Sequence, residues 1–185
     1  MLMVLQTEKP MHNLNFKIVS FILKIRDVFY PPKYILKDVG ISPGVCVLDF
    51  GCGPGSYSIA IAELLAGTGK VFALDIHQLA IKKVNQTAQK KKLANIKTIL
   101  SDCATGLPSN SVDIVLLYYI FNDLKEPGRV LHELYRVLKP QGILSFSEYN
   151  IKKISSRLEK KELFKIKKKY KITHTFLKTP SLIVN

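Results

Sequence analysis

Two rhythms of apolar and polar residues divide the chain. In FKIVSFILKI, residues 16–25, Phe16, Ile18, Phe21, Ile22 and Ile25 follow helical spacing. The run contains two lysines and is too short to span a bilayer, and such a stripe suits core or lid packing better than a membrane anchor. Pro31 and Pro32 break the pattern, and proline in a first turn restarts it as a helix over about Pro32 to Asp38. Gly40 ends that helix, and Ile41 to Gly44 read as a turn.

Beyond the turn the rhythm changes. VCVLDF, KVFALDI, IKTILS, SVDIVLLYYI and ILSFSEY are short, continuously apolar runs, the pattern of strands buried on both faces of a sheet. Between them lie helical segments: SYSIAIAELLA, HQLAIKKVNQTAQKKK with its stripe of Leu79, Ile81 and Val84, and PGRVLHELYRVLK, ended by the turn Pro140-Gln141-Gly142. Strands separated by helices make right-handed crossovers, hence a doubly wound, mostly parallel α/β sheet with helices on both faces. LFKIKKKYK and ITHTFLK alternate instead, as a half-exposed antiparallel hairpin does, which completes a seven-stranded sheet. Lysines along the hairpin would keep its edge from pairing with other sheets. The division expected is a helical lid or arm, residues 1–40, on one domain, residues 41–185.

Composition adds one unusual quantity. The 185 residues are 47% hydrophobic and 23% charged, ordinary for a folded domain, but the net charge is +14. From Lys152 to Lys178 eleven lysines and arginines stand against Glu159 and Glu162, and Lys90-Lys91-Lys92 adds a second cluster. An RNA or an anionic membrane surface is the partner such charge would attract, with salt-sensitive binding as its signature. Lysine far outnumbers arginine and few aromatics interleave, which suits a solvated surface better. Cys46, Cys52 and Cys103 are too few and scattered for a disulfide framework or a metal site, and free thiols fit a reducing cytoplasm. MLMVLQTEKP has neither a charged leader nor a cleavage site, so no signal peptide is expected.

The chemistry concentrates in VLDFGCGPGSYS. In a doubly wound sheet, ligands bind beyond the carboxyl ends of the strands, near the first strand-to-helix turn. Gly51, Gly53 and Gly55 would let the backbone approach a ligand closely. A dinucleotide fingerprint starting at Gly51 needs its third glycine at position 56, which is Ser56. Asp49 before the turn would repel a pyrophosphate, yet would accept hydrogen bonds from a ligand ammonium. Asp75, ending the second strand, is placed to accept from ribose hydroxyls. Asp102, ending the third, could accept from an adenine amine, and the Cys103 N–H could donate to a ring nitrogen. A glycine turn or an acid at three successive strand ends describes a nucleoside with a cationic amino-acid tail.

VLDFGCGPG, ALDI, SDCATGLP, VDIVLLYYIFNDL and LHELYRVLKPQGILSFSE, in that order, resemble the motifs of class I S-adenosylmethionine-dependent methyltransferases. The branch most resembled is the small-molecule one that includes the ubiquinone/menaquinone-biosynthesis and type 11 methyltransferase domains. The likeness is good from about Tyr34 to Tyr149 and weak over the last 35 residues. It implies a Rossmann-like methyltransferase fold with S-adenosyl-L-methionine as cofactor. By position it puts Asp49, Gly51, Cys52, Gly53 and Gly55 around the methionine part, with Ser56 and Tyr57 near its carboxylate. Asp75 would take the ribose, Ile76 an adenine face and His77 its margin. Asp102 and Cys103 would hold the adenine edge, and Tyr118 would lie beside the sulfonium and the acceptor.

Methyl transfer from a sulfonium is an in-line displacement, so the protein chiefly supplies proximity and orientation. Tyr118 and Tyr119 are the expected positioning residues, since aromatic faces attract cations. No convincing general base stands out among His12, His77, His132 and His174, though a closing lid would bring His12 near. The stretch Tyr118 to Asp123 lacks the Asn/Asp-Pro-Pro-aromatic motif of enzymes that methylate base or glutamine amines. Tyr119 and Asn122 stand where related small-molecule enzymes often carry Asp and His. A small-molecule or quinone-like acceptor is the leading expectation. An RNA methyltransferase using the basic C-terminal region, and a non-catalytic cofactor-binding partner protein, stay open. A homodimer could close the site.

Overall fold

The computed structural model describes residues 9–151 and 163–180, so the basic run over residues 152–162 lies outside the described residues. Two helices lead, α1 (Asn13–Phe29) and α2 (Pro32–Leu36). Then follow β1 (Cys46–Phe50), α3 (Ser56–Leu64), β2 (Lys70–Asp75), α4 (Gln78–Lys90), β3 (Ile96–Leu100) and β4 (Val112–Tyr118). A single 3₁₀ turn (Phe121–Asp123) leads to α5 (Pro127–Val137), β5 (Leu138–Ser147), β6 (Phe164–Lys169) and β7 (His174–Lys178).

All seven strands form one sheet in the order β3-β2-β1-β4-β5-β7-β6, parallel through β5 and antiparallel across β7 and β6. The doubly wound, seven-stranded reading of the sequence holds. The chain winds outward from β1 to β3 and then returns to lay β4 beside β1. That reversal opens a crevice at the carboxyl ends of β1 and β4.

Alternate residues of the central strands feed two cores. Ile114, Leu116 and Tyr118 pack with Leu36, Tyr57, Ile61 and Leu65 under α2 and α3. Val115 and Leu117 pack with Leu131, Leu134 and Phe146 under α5. β3 is continuously apolar in sequence only in part, and as an edge strand it is half-buried. In the hairpin β6 forms the exposed edge, whereas His174, Thr175 and Phe176 of β7 are buried between β5 and β6.

Two expectations are corrected. Leu138 follows α5 directly and pairs with Val112, then the register jumps to Ile114 with Ile143. The residues read as a turn, Pro140 to Gly142, are therefore a bulge inside β5. Lys139 Nζ on Asp113 Oδ1 at 2.7 Å ties the bulge to β4. The α1 stripe is the second correction. Only Phe16 turns inward, while Ile18, Phe21, Ile22 and Ile25 face solvent. The inward face is set by polar groups, Arg26 and Asp27, which find partners on the domain. No helix among the described residues is long and apolar enough to cross a membrane.

Candidate functional site

Backbone geometry ties the first turn to the second strand. The N–H groups of Gly51 and Cys52 donate to the Leu74 carbonyl at 2.8 and 2.9 Å. Gly53 N–H donates to Asp75 Oδ2 at 2.8 Å, and His77 N–H donates to Asp75 Oδ1 at 2.7 Å. Asp75 thus clamps the glycine turn to the start of α4. Each carboxylate oxygen keeps a lone pair for a further donor. Burial raises its carboxyl pKa, and the two backbone bonds work against that rise.

The three glycines serve different ends. Their φ angles are +77°, +52° and +92° for Gly51, Gly53 and Gly55. A Cβ on Gly51 would meet Ile120 Cδ1 at 2.4 Å, and one on Gly55 would meet Val84 Cγ2 at 2.7 Å. Around Gly53 nothing lies within 4 Å. Gly51 and Gly55 therefore serve packing within the protein, and Gly53 alone of the three borders open space. The buried thiol of Cys52 lies 3.7 Å from the Gly53 carbonyl.

Asp49, 3% exposed, accepts from Ser58 Oγ at 2.5 Å. Burial pushes its carboxyl up to about 6; the Ser58 bond lowers it and the neighbouring charge of Asp75 raises it further. It is a buried acid poised for a cation.

Ser56, Tyr57 and His77 all touch α1, contacts that fit the expected helical lid though helical periodicity does not name them. Ser56 Oγ donates to Asp27 Oδ2. Arg26 forks onto Asp27 Oδ1 and lies 5.5 Å from the Tyr57 ring centroid. Phe16 stacks on His77 with centroids 4.3 Å apart. His77 Nδ1 accepts from Leu79 N–H, capping α4, and its buried Nε2 has no hydrogen-bond partner. His12, the candidate lid-borne base, uses Nδ1 to cap α1. Ile76 is half-buried beside Asp75.

The third strand end is arranged differently. Asp102 Oδ2 lies 3.3 Å from Arg129 Nη1, and the Cys103 N–H donates to Ser101 Oγ at 3.2 Å. Glu133 of α5 holds this loop by accepting from Thr105 N–H and Oγ1 at 2.9 and 2.6 Å. Arg136, bonded to Glu133, holds that carboxyl down at about 2. A cavity of about 290 Å³ beside Cys103 is lined by Arg129, His132 and Glu133. A larger one of about 490 Å³ sits at the amino ends of β2 and β3, far from these groups, and is lined by Glu63, Lys70, Lys92 and Asn95 among small and apolar residues.

Tyr118 is buried, shares a hydrogen bond of 2.7 Å with Ser145 Oγ and packs edge-on against Tyr57 at 4.9 Å. Burial pushes its hydroxyl well above the usual phenol range, so it stays protonated. Tyr119 adopts φ +58°, a costly conformation for a side chain of this size. Its ring lies 5.3 Å from that of Tyr149. Glu148, directly after β5, is buried and leaves Oε2 without a hydrogen-bond partner. His132 is exposed on α5, and His174 is buried opposite Phe146.

The fold thus gathers Asp49, Gly53, Asp75, His77 and the start of α3 around one crevice. Asp102 and Cys103 lie just after β3, the Asp102 carboxylate beside Arg129 and the Cys103 N–H on Ser101. Phe16, Arg26, Asp27, Ile120 and Glu148 are the neighbours missed in the sequence. Of these, Glu148 carried a signal, an acid at a strand end like Asp102.

Comparison with known proteins bears on this crevice. A family model described as a methyltransferase domain matches residues 41–179. A demethylmenaquinone methyltransferase of Geobacillus sp. (strain WCH70) is 31% identical over 108 residues, 58% of this chain and 46% of that protein. One from Listeria welshimeri is 29% identical over 143 residues, 77% of this chain and 59% of that protein. The chain spans about half the length of the curated relatives it matches. The crystal structure of an S-adenosylmethionine-dependent methyltransferase from Aquifex aeolicus superposes with a TM-score of 0.75 at 24% identity, covering 80% of this chain and 90% of that one. Since the family model spans the sheet from the turn before β1 to the end of β7, the chain belongs to the class I S-adenosylmethionine-dependent methyltransferases.

Proposed function

We propose that the chain binds S-adenosyl-L-methionine at the β1–β4 crevice and transfers its methyl group to a small, quinone-like acceptor. The observation that carries the cofactor part is the Asp75 clamp: one carboxylate shapes the glycine turn and still has lone pairs for two ribose hydroxyls. The open space at Gly53 and the orphaned His77 Nε2 fit the same ligand. The demethylmenaquinone methyltransferases among the relatives support the acceptor class.

In this reading the cofactor, when bound, supplies a methyl group already activated on a sulfonium. Asp49 attracts the ligand ammonium, and Gly51 to Gly55 with Ser56 and Tyr57 surround the amino-acid tail. Asp75 fixes the ribose, Ile76 and His77 flank the adenine, and Asp102 with Cys103 border its edge. For Cys103 that role requires its N–H to turn from Ser101. Tyr118 presents a ring to the positive charge, its hydroxyl held by Ser145, and Tyr119 lines the acceptor side. Both act by position, and neither takes a proton. α1 (Asn13–Phe29) and α2 (Pro32–Leu36) serve as a lid over the crevice. The three free cysteines suit a cytoplasmic location.

The test is methyl transfer from radiolabelled S-adenosylmethionine to a reduced, short-chain demethylnaphthoquinone. Labelled product that disappears in Asp75→Ala supports the proposal. Cofactor binding without transfer to any quinol would remove the acceptor assignment and leave the cofactor assignment standing.

A further inference from the structure

The outward face of α1 is the largest feature the crevice does not explain. Ile18, Phe21, Ile22 and Ile25, with Leu14, Val28 and Phe29, are each between 45% and 73% exposed. At 3.6 residues per turn these positions fall within an arc of about 120°. At on the order of 100 Å² apiece they exceed the few hundred Å² of contiguous apolar surface usual on a monomer. Tyr30 and Tyr34 extend the patch at 72% and 58% exposure.

The charges around this face have one sign. Lys17 and Lys24 lie along one edge of the apolar arc. Lys33 and Lys37 lie 5.6 and 5.5 Å from the Tyr34 ring centroid. The one acid of α1, Asp27, turns inward to Ser56 and Arg26. A second copy would bring these lysines against their own kind, in a chain of net charge +14. A surface both anionic and apolar beneath would satisfy lysines and side chains together.

We propose that α1 is an in-plane membrane anchor, lying on an anionic bilayer with its apolar arc in the acyl boundary and its lysines among the headgroups. The opposite side of the same helix holds Phe16 on His77 and Asp27 on Ser56, so the bilayer and the crevice meet across one helix. A lipid-tailed acceptor would then reach the crevice along α1. This consequence rests on the quinone-like acceptor reading; the docking itself does not.

The experiment is co-sedimentation of the full chain with vesicles of phosphatidylcholine alone or mixed with phosphatidylglycerol. The chain should pellet with the mixed vesicles and stay soluble with the neutral ones. Phe21→Glu with Ile25→Glu should weaken binding by at least about tenfold, and Lys17→Ser with Lys24→Ser by a similar factor. Phe21→Trp gives a single reporter in a chain without tryptophan, and its emission should shift to the blue on the mixed vesicles. Each variant should keep the thermal shift given by S-adenosylhomocysteine, so loss of docking and loss of the cofactor site are read separately. No pelleting with anionic vesicles, pelleting untouched by the arc substitutions, or a dimer that Phe21→Glu dissociates would each overturn the proposal.

Discussion

Among the crevice residues, Gly53 and Gly51 look alike in sequence and behave differently in space. Gly53→Ala meets no neighbour, so its cost is the left-handed backbone, about 1 kcal/mol. Calorimetric affinity for S-adenosylhomocysteine should nonetheless drop at least about tenfold. Gly51→Ala strikes Ile120, so it should lower the melting temperature more, and Ile120→Ala should recover part of that loss. Asp49 supplies a pH signature. With its folded pKa raised to about 6 from an ordinary 3.8, the native state favours the protonated form. Its contribution to stability is fullest below about pH 4 and falls by up to about 3 kcal/mol as pH rises through 6. A ligand ammonium needs the ionised form, so affinity should fall about tenfold per unit below pH 6. Asp49→Asn should flatten that profile. The acids were legible in sequence because strand ends can be read from apolar runs; which glycine borders open space was not, because Ile120 and Val84 lie far away in the chain.

At the scale of elements, α1 divides the legible from the hidden. Its helical period was plain, but periodicity states that one face is apolar and not which way it turns. Arg26 and Asp27 decide the orientation through Tyr57 and Ser56, residues about thirty positions away. Asp27→Ala should loosen the helix without unfolding the sheet. Amide exchange over residues 13–29 should quicken several-fold in that variant, while β1 and β4 keep their protection. Equal protection of α1 in both proteins would mean that Phe16 on His77 suffices to hold it. The bulge in β5 was hidden for a related reason: Pro140 to Gly142 carry turn chemistry, yet β4 pairs with Leu138 before them and with Ile143 after them.

For the whole molecule, the alternation of buried strands and helices made the sheet and its reversal point readable without coordinates. The family follows from that same order of strand ends, and the acceptor does not, because contacts such as Phe16 on His77 and Tyr119 on Tyr149 form only in the folded state. Whether the crevice organised by Asp75 holds S-adenosylmethionine is decided by thermal denaturation with S-adenosylhomocysteine, against NADH and with Asp75→Ala as control. At about 100 times Kd the product should stabilise the chain by about 2.7 kcal/mol, or about 5–10 °C. NADH should give no shift, and the shift should vanish in Asp75→Ala. A wild-type chain that ignores S-adenosylhomocysteine, responds to NADH instead, or keeps its full shift without Asp75 would contradict that assignment.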